Sequence, residues 1–218
     1  MVKLNKIVNK FKINFVKNGI DPDEVNKAFG KANLDDLECL TDLFGVFSKS
    51  STFYKEDDLE TLKKYNVPDV VVDFYRNFEP QNLPALSGGI RLMALESIKE
   101  ENSSAVPSLY FIKYGLLTIA TTIGGHVICI DLNRINNNEP SVVIADYSFC
   151  SYNDELDVIE CINVPDEIAD NYSDDEPIIL SYSLIKNCLP QISVSFSDFL
   201  TNLANEKYED IETEYLLS

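Results

Sequence analysis

The sequence predicts an α+β protein in which an antiparallel-rich sheet is flanked by helices and preceded by an N-terminal helical extension. Three observations predict this class. Apolar residues recur at helical spacing through the first ~80 residues. Runs rich in β-branched and aromatic residues follow from position 109. Helical spacing then returns in the stretch that begins at Phe196.

The first three predicted helices form the extension, residues 1–52. In the first, the apolar residues Leu4, Ile7, Phe11 and Phe15 lie on one face, and Gly19 is suited to the left-handed conformation that ends a helix. Asp21-Pro22 gives the second helix a capping side chain and a first-turn proline. Asn33 caps a third, which we expect to continue as one helix to Phe47.

The main domain is predicted over residues 53–206. Asp57 and Glu60 resemble a capping box for a short helix, and Pro68 opens a second helix that reaches Phe78. Gly88-Gly89 indicates a turn before a strand at residues 90–93. Further strands are predicted at 109–113, 116–123, 126–132 and 142–146.

Gly124-Gly125 predicts a two-residue hairpin turn, because glycine accepts positive φ at both positions. Ser195 or Ser197 caps the last long helix. Residues 207–218 form an acidic tail, for which both a frayed end and a short helix remain open.

Charge is distributed very unevenly along the chain. The net charge is −18, and the 51 residues between Arg134 and Lys186 hold 12 Asp and Glu and no Lys or Arg. A field of this sign attracts basic proteins and repels nucleic acid and anionic lipid. The charge pattern therefore predicts a protein partner with a basic surface, and neither nucleic acid nor membrane as a partner.

The cysteines are five in number and have no CxxC spacing, which indicates reduced core thiols. The N-terminus lacks the apolar core and cleavage site of a secretory signal. The longest mainly apolar stretch, residues 116–130, is interrupted by threonine, glycine and histidine and is shorter than the ~18 residues that a spanning helix needs. We therefore expect a cytoplasmic protein.

No residue pattern predicts a catalytic, cofactor or metal site. The single histidine, His126, lies three positions from Cys129, and on a strand these two side chains point to opposite faces. The glycines have no P-loop or GxGxxG context. Asp131 and Asn133 begin like a calcium loop, but the later ligand positions are apolar.

The densest carboxylate clusters are the candidate partner-binding site. Tyrosines lie among these carboxylates, and with Ile159 they would supply the anchors that charge alone lacks. A solvated surface, a partner-binding face and the catalytic carboxylates of a hydrolase all remain open for these residues. The candidate residues are Tyr152, Asp154, Glu155, Asp157, Glu160, Tyr172, Asp174, Asp175 and Glu176.

The order of these elements resembles the SUKH superfamily across residues 57–206. The resemblance rests on Val67-Pro68-Asp69 through Phe78, the Gly88-Gly89 turn, the strands up to residue 146, and the Phe196–Leu203 helix. It implies an α+β fold and, for bacterial members, an immunity protein that neutralises a polymorphic toxin, frequently a nuclease or deaminase. A regulatory or scaffold protein of the same superfamily is the alternative. The oligomeric state and the identity of the toxin do not follow from the sequence.

Overall fold

The structure is a computed structural model that describes residues 2–50, 56–173 and 176–216. The helices, in chain order, are α1 (Val2–Lys17), α2 (Pro22–Lys27), α3 (Leu34–Thr41), α4 (Leu43–Ser50), α5 (Glu56–Leu62), α6 (Asp69–Phe78), α7 (Leu95–Ser104), α8 (Ser108–Phe111), α9 (Asp166–Ala169), α10 (Tyr182–Cys188), α11 (Phe196–Ala204) and α12 (Ile211–Tyr215). The strands are β1 (Phe29–Gly30), β2 (Glu79–Pro80), β3 (Ile90–Leu92), β4 (Leu116–Thr122), β5 (Val127–Asn136), β6 (Glu139–Ala145), β7 (Cys150–Asn153), β8 (Val158–Cys161) and β9 (Gln191–Ser193).

A five-stranded sheet with the order β3-β4-β5-β6-β9 forms the centre of the molecule. Every neighbouring pair is antiparallel. Helices lie beside it, which confirms the predicted α+β class. Its central strands read as almost continuous apolar runs because side chains on both of their faces are buried.

Helix α11 packs on one face of the sheet, and α1 and α6 pack against α11. Phe11 of α1 stacks on Phe29, and Phe74 of α6 meets Phe196 of α11 edge to face with ring centroids 5.7 Å apart. Leu4 and Phe15 are also buried, as the helical spacing predicted. The apolar side chains of residues 4–47 therefore share one core with the following domain, while the division at residue 52 stays a prediction.

The opposite face of the sheet is covered by the β7–β8 hairpin, α8 and α10. Phe111 and Phe149 pack together there, beside Ile185 and Leu189 of the α10 region. Residues 178–180 run antiparallel along β8, because Cys161 N–H donates to the Ile178 carbonyl and Leu180 N–H donates to that of Ile159. The sheet thus has a separate apolar core on each side.

One predicted strand is wrong. Residues 109–113 lie in α8 and in the 3₁₀ helix Ile112–Tyr114 that follows it. Pro107 precedes this helical segment, and Gly115 ends it with φ +76°. A short apolar run does not distinguish a strand from a buried helix, so these flanking residues were the better guide.

One turn and one helix also differ from expectation. The β4–β5 loop has four residues, Ile123–His126, and only Gly125 among them takes a positive φ. Thr122 closes the loop through hydrogen bonds with Gly125 and His126. The helix predicted from Asn33 to Phe47 is two helices, α3 and α4. The Thr41 hydroxyl donates to the Leu37 and Glu38 carbonyls near the break, and bonds of this kind bend helices.

Most other boundaries follow their sequence signals. Asp57 is an exception, because α5 begins at Glu56 and Asp57 lies inside that helix, so its predicted role as a cap is wrong. Ser195, not Ser197, caps α11 by accepting from the Asp198 N–H, and Asn33 and Asp21 cap α3 and α2. Gly88 and Gly89 both take positive φ at the predicted turn. Within the described ranges, no helix combines the length and apolar character needed to cross a membrane.

Candidate functional site

His126 and Cys129 lie in different surroundings. His126 sits at the base of the β4–β5 loop, with Nδ1 3.4 Å from the Asp146 carboxylate and Nε2 3.9 Å from that of Glu212. Cys129 is fully buried and lies 3.2 Å from the Thr118 hydroxyl. Burial raises the pKa of Cys129 to about 12, so its thiol is protonated at neutral pH.

The Asp131 carboxylate, considered above as part of a calcium loop, has protein partners. It lies 3.0 Å from Arg134 Nε and accepts hydrogen bonds from the Tyr182 hydroxyl and the Asn133 N–H. Arg134 in turn donates to the Lys186 carbonyl, so this network joins β5 to α10. In residues 2–50, 56–173 and 176–216, no group of three or more His, Cys, Asp or Glu is placed to hold a metal ion.

The acidic hairpin, residues 150–161, carries four of the candidate carboxylates. Asp154, Glu155 and Asp157 lie in its turn and are exposed, and Glu160 lies on β8. Because Ile159 and Cys161 are buried and strand side chains alternate, Glu160 points away from the sheet. The structure therefore brings these four carboxylates together on one outer edge of the molecule.

Side chains of the acidic hairpin fix the shape of its turn. The Asn153 side-chain oxygen accepts from the N–H groups of Glu155 and Leu156 at 3.1 Å each, and its amide nitrogen donates to Glu160. The Tyr152 hydroxyl donates to Asp157 at 2.6 Å, a bond that raises the pKa of Tyr152. These bonds hold the exposed carboxylates in one arrangement before any partner binds.

The other candidate residues lie elsewhere on the same layer. Tyr172 and Glu176 are exposed and follow α9, whereas Asp174 and Asp175 lie outside the described residues. Since Ile178 pairs with Cys161, Glu176 lies toward the base of the acidic hairpin, at the opposite end from its turn. The structure thus separates Glu176 from the carboxylates of the hairpin turn.

The apolar anchors differ in part from those expected. Ile159 is only 8% exposed and packs against the sheet, so its predicted role as a surface anchor is wrong. Three exposed side chains that the sequence reasoning missed flank the carboxylates: Leu156 in the turn, and Ile162 and Ile179 beside Glu160. The period-2 alternation of Val158, Glu160 and Ile162 was the signal for this outer face.

Among the described residues, no Lys or Arg forms an ion pair with Asp154, Glu155 or Glu160 of the acidic hairpin. The lysine-rich α1 lies across the sheet, where Lys3 is 3.7 Å from Asp198 of α11. The carboxylates of Asp154, Glu155 and Glu160 therefore form a negative region on the side of the sheet away from the lysines of α1.

The comparisons with known proteins give one family and no individual relative. The model of the SMI1 / KNR4 family (SUKH-1) matches residues 56–202. No curated protein and no solved structure matches the chain. The matched range includes the whole sheet and the acidic hairpin, and it excludes α1 to α4.

Proposed function

Because the chain belongs to the SMI1/KNR4 family (SUKH-1), a family in which immunity-type domains are common, we propose that it is a non-enzymatic immunity protein. It binds and neutralises a polymorphic toxin, a nuclease or deaminase, by placing the acidic hairpin against the toxin's basic substrate-binding surface. The observation that carries this proposal is the cluster of exposed carboxylates of Asp154, Glu155 and Asp157, in a stretch with no basic residue between positions 135 and 185.

Charge supports the choice of partner. Enzymes that act on nucleic acid bind phosphates with Lys and Arg, so their substrate channels are basic. Carboxylates on a projecting turn match such a channel in sign and speed the encounter of the two proteins. A surface of this kind blocks access to the channel without any chemistry of its own.

The apolar side chains supply what exposed charge lacks. Single exposed ion pairs contribute only about 0.2–1 kcal/mol, whereas buried aromatic and aliphatic anchors dominate most interfaces. Leu156 is 54% exposed at the tip of the acidic hairpin, and Ile162 and Ile179, which lie beside Glu160, are 56% and 53% exposed. We expect these three side chains to be desolvated in the complex and the carboxylates to surround them.

The direct test uses the full chain and the toxin encoded beside its gene. Titration calorimetry should show tight binding that weakens as salt is raised, because exposed charge is screened. The triple variant D154N/E155Q/D157N should bind about tenfold more weakly, chiefly through slower association. The matched control E96Q/E100Q/E206Q removes three exposed carboxylates outside the acidic hairpin and should bind like the wild type.

Two results would count against this function. Absence of binding to the neighbouring toxin, together with stable capture of cellular complexes, would favour the regulatory or scaffold alternative. Equal weakening by the acidic-hairpin variant and its control would show that net charge, not this surface, governs association. Replacing Leu156 or Ile179 by Ala separates the cases further, because net charge is unchanged and a loss of about tenfold or more then requires local contact.

A further inference from the structure

Two cysteines face each other across the acidic hairpin. Cys150 of β7 is the direct register partner of Cys161 of β8. The backbone hydrogen bonds of the neighbouring residues show whether this is a hydrogen-bonded or a non-hydrogen-bonded pair. Ile162 N–H donates to the Phe149 carbonyl at 2.9 Å, and Cys161 N–H points the other way, to the Ile178 carbonyl at 2.7 Å. Cys150 and Cys161 therefore form a pair that is not linked by backbone hydrogen bonds.

Pairs of this type bring side chains closest in an antiparallel ribbon. Their Cα atoms lie about 4.5 Å apart, closer than in the hydrogen-bonded pairs that alternate with them. A disulfide spans Cα atoms separated by roughly 4.4–6.8 Å. Both thiols also lie on the face of the hairpin that packs on the sheet. Cys150 is 1% exposed and Cys161 is 7% exposed.

We propose that Cys150 and Cys161 form an intramolecular disulfide when the folded protein meets a low-molecular-weight disulfide such as oxidised glutathione. The thiolate of one cysteine attacks a sulfur of the oxidant, which forms a mixed disulfide and releases one glutathione thiol. The second cysteine attacks the protein sulfur of that mixed disulfide and releases the other glutathione. Two protein thiols are thereby oxidised, and one glutathione disulfide is reduced to two thiols.

Burial makes this reaction slow without making it unfavourable. Burial raises the pKa of both thiols, to about 12 for Cys161, where the nearby Cys188 adds to the effect. The attacking thiolate is thus scarce at neutral pH, and the oxidant reaches the pair only when the hairpin opens. The reduced form persists through brief exposure to oxidant, and the cross-linked form accumulates at equilibrium.

The cross-link closes a loop that contains the acidic turn. A disulfide that closes a loop of about 12 residues restricts the two strands when they separate. It should therefore lower the equilibrium constant for opening of the hairpin by up to about 100-fold. The proposed disulfide follows from the pairing of Cys150 with Cys161 between β7 and β8, and it does not depend on the partner proposed above. Binding of a toxin and formation of the disulfide can therefore fail separately.

The test equilibrates the full-length reduced protein in glutathione buffers of increasing oxidation and then blocks free thiols. We expect intact mass to show the loss of two hydrogens, and peptide mapping to join the peptides that contain Cys150 and Cys161. The cross-link should persist in C39S and C188S and disappear in C150S. In the oxidised protein, amide exchange in β7 and β8 should slow by up to about 100-fold and recover with dithiothreitol.

Three outcomes would overturn the proposal. They are a chain that stays reduced in the most oxidising buffer, glutathione adducts without a protein disulfide, and a cross-link that maps to Cys161 and Cys188. The wild-type peptide map decides among these even if C150S fails to fold, because it needs no variant.

Discussion

Replacing Asn102 with Leu should destabilise the protein through the loss of a side-chain bridge between α7 and β4. Asn102 is fully buried. Its side-chain oxygen accepts from the Thr118 N–H at 2.9 Å, and its amide nitrogen donates to the carbonyls of Thr118 and Ile98 at 2.9 and 2.7 Å. The amide occupies the position that a further β3 residue would have, because β3 ends at Leu92, opposite Ala120.

The expected loss follows from the groups left without partners. Leu keeps a side chain of similar size but leaves the Thr118 N–H and C=O buried and unpaired, at about 1–3 kcal/mol each. The added apolar burial offsets about 1 kcal/mol of this. We expect the free energy of unfolding to fall by about 3 kcal/mol, which lowers the urea midpoint by about 1–1.5 M at an unchanged slope.

Asn205 provides a matched control. Its side-chain amide donates to the Thr201 carbonyl at 2.9 Å, the same i to i−4 bond that Asn102 makes to Ile98, but Asn205 is exposed. Water replaces that bond, so N205L should change stability by no more than about 0.5 kcal/mol. A loss below about 1 kcal/mol for N102L, or equal losses for the two variants, would refute the claim that Asn102 completes the sheet edge.

Three further predictions concern other parts of the fold. D131N should lower stability by about 3 kcal/mol in urea unfolding, because Arg134 loses its buried partner, while D198N at the exposed Lys3 pair should cost under about 1 kcal/mol. G88A should cost about 2 kcal/mol more than G125A in the same assay: both have positive φ, but the new Cβ would lie 2.6 Å from Tyr208 Cβ at position 88 and in open space at 125. Hydrogen bonds from Thr122 and the Gly124 N–H lower the pKa of Glu212, so its contribution is present above the ordinary glutamate pKa of about 4.3 and lost as the pH falls through the folded value. E212Q should therefore be less stable than the wild type at pH 7, with the difference disappearing toward pH 3, and a constant difference across that range would contradict this account.

Hydrophobic spacing predicted the helices that bury one face. Helices α1, α6 and α11 each present apolar residues every three or four positions and bury that side in one shared core. Spacing failed where both sides are buried or the element is short. Residues 109–112 form one apolar run, and α7 was missed because Leu95 and Ile98 are its only buried apolar residues among polar neighbours.

Composition predicted an acidic face but not its layout. The absence of Lys and Arg from positions 135–185 is visible in the sequence, whereas the separation of Glu176 from Asp154 depends on how residues 178–180 pair with β8. Ile159 was assigned to the surface because the hairpin itself was not predicted. Once β7 and β8 are paired, alternation alone places Ile159 on the sheet and Glu160 in solvent.

The position of the acidic hairpin explains how a small turn can present a fixed surface. An isolated two-stranded hairpin is marginal in water, and mutual repulsion among Asp154, Glu155 and Asp157 would weaken it further. Here one face is held on the sheet by Cys150, Ile159 and Cys161, and one edge is paired with residues 178–180. The apolar core beneath the hairpin therefore offsets this repulsion, and a cationic partner of the kind proposed would reduce it on binding. The repulsion in the free state would then favour association.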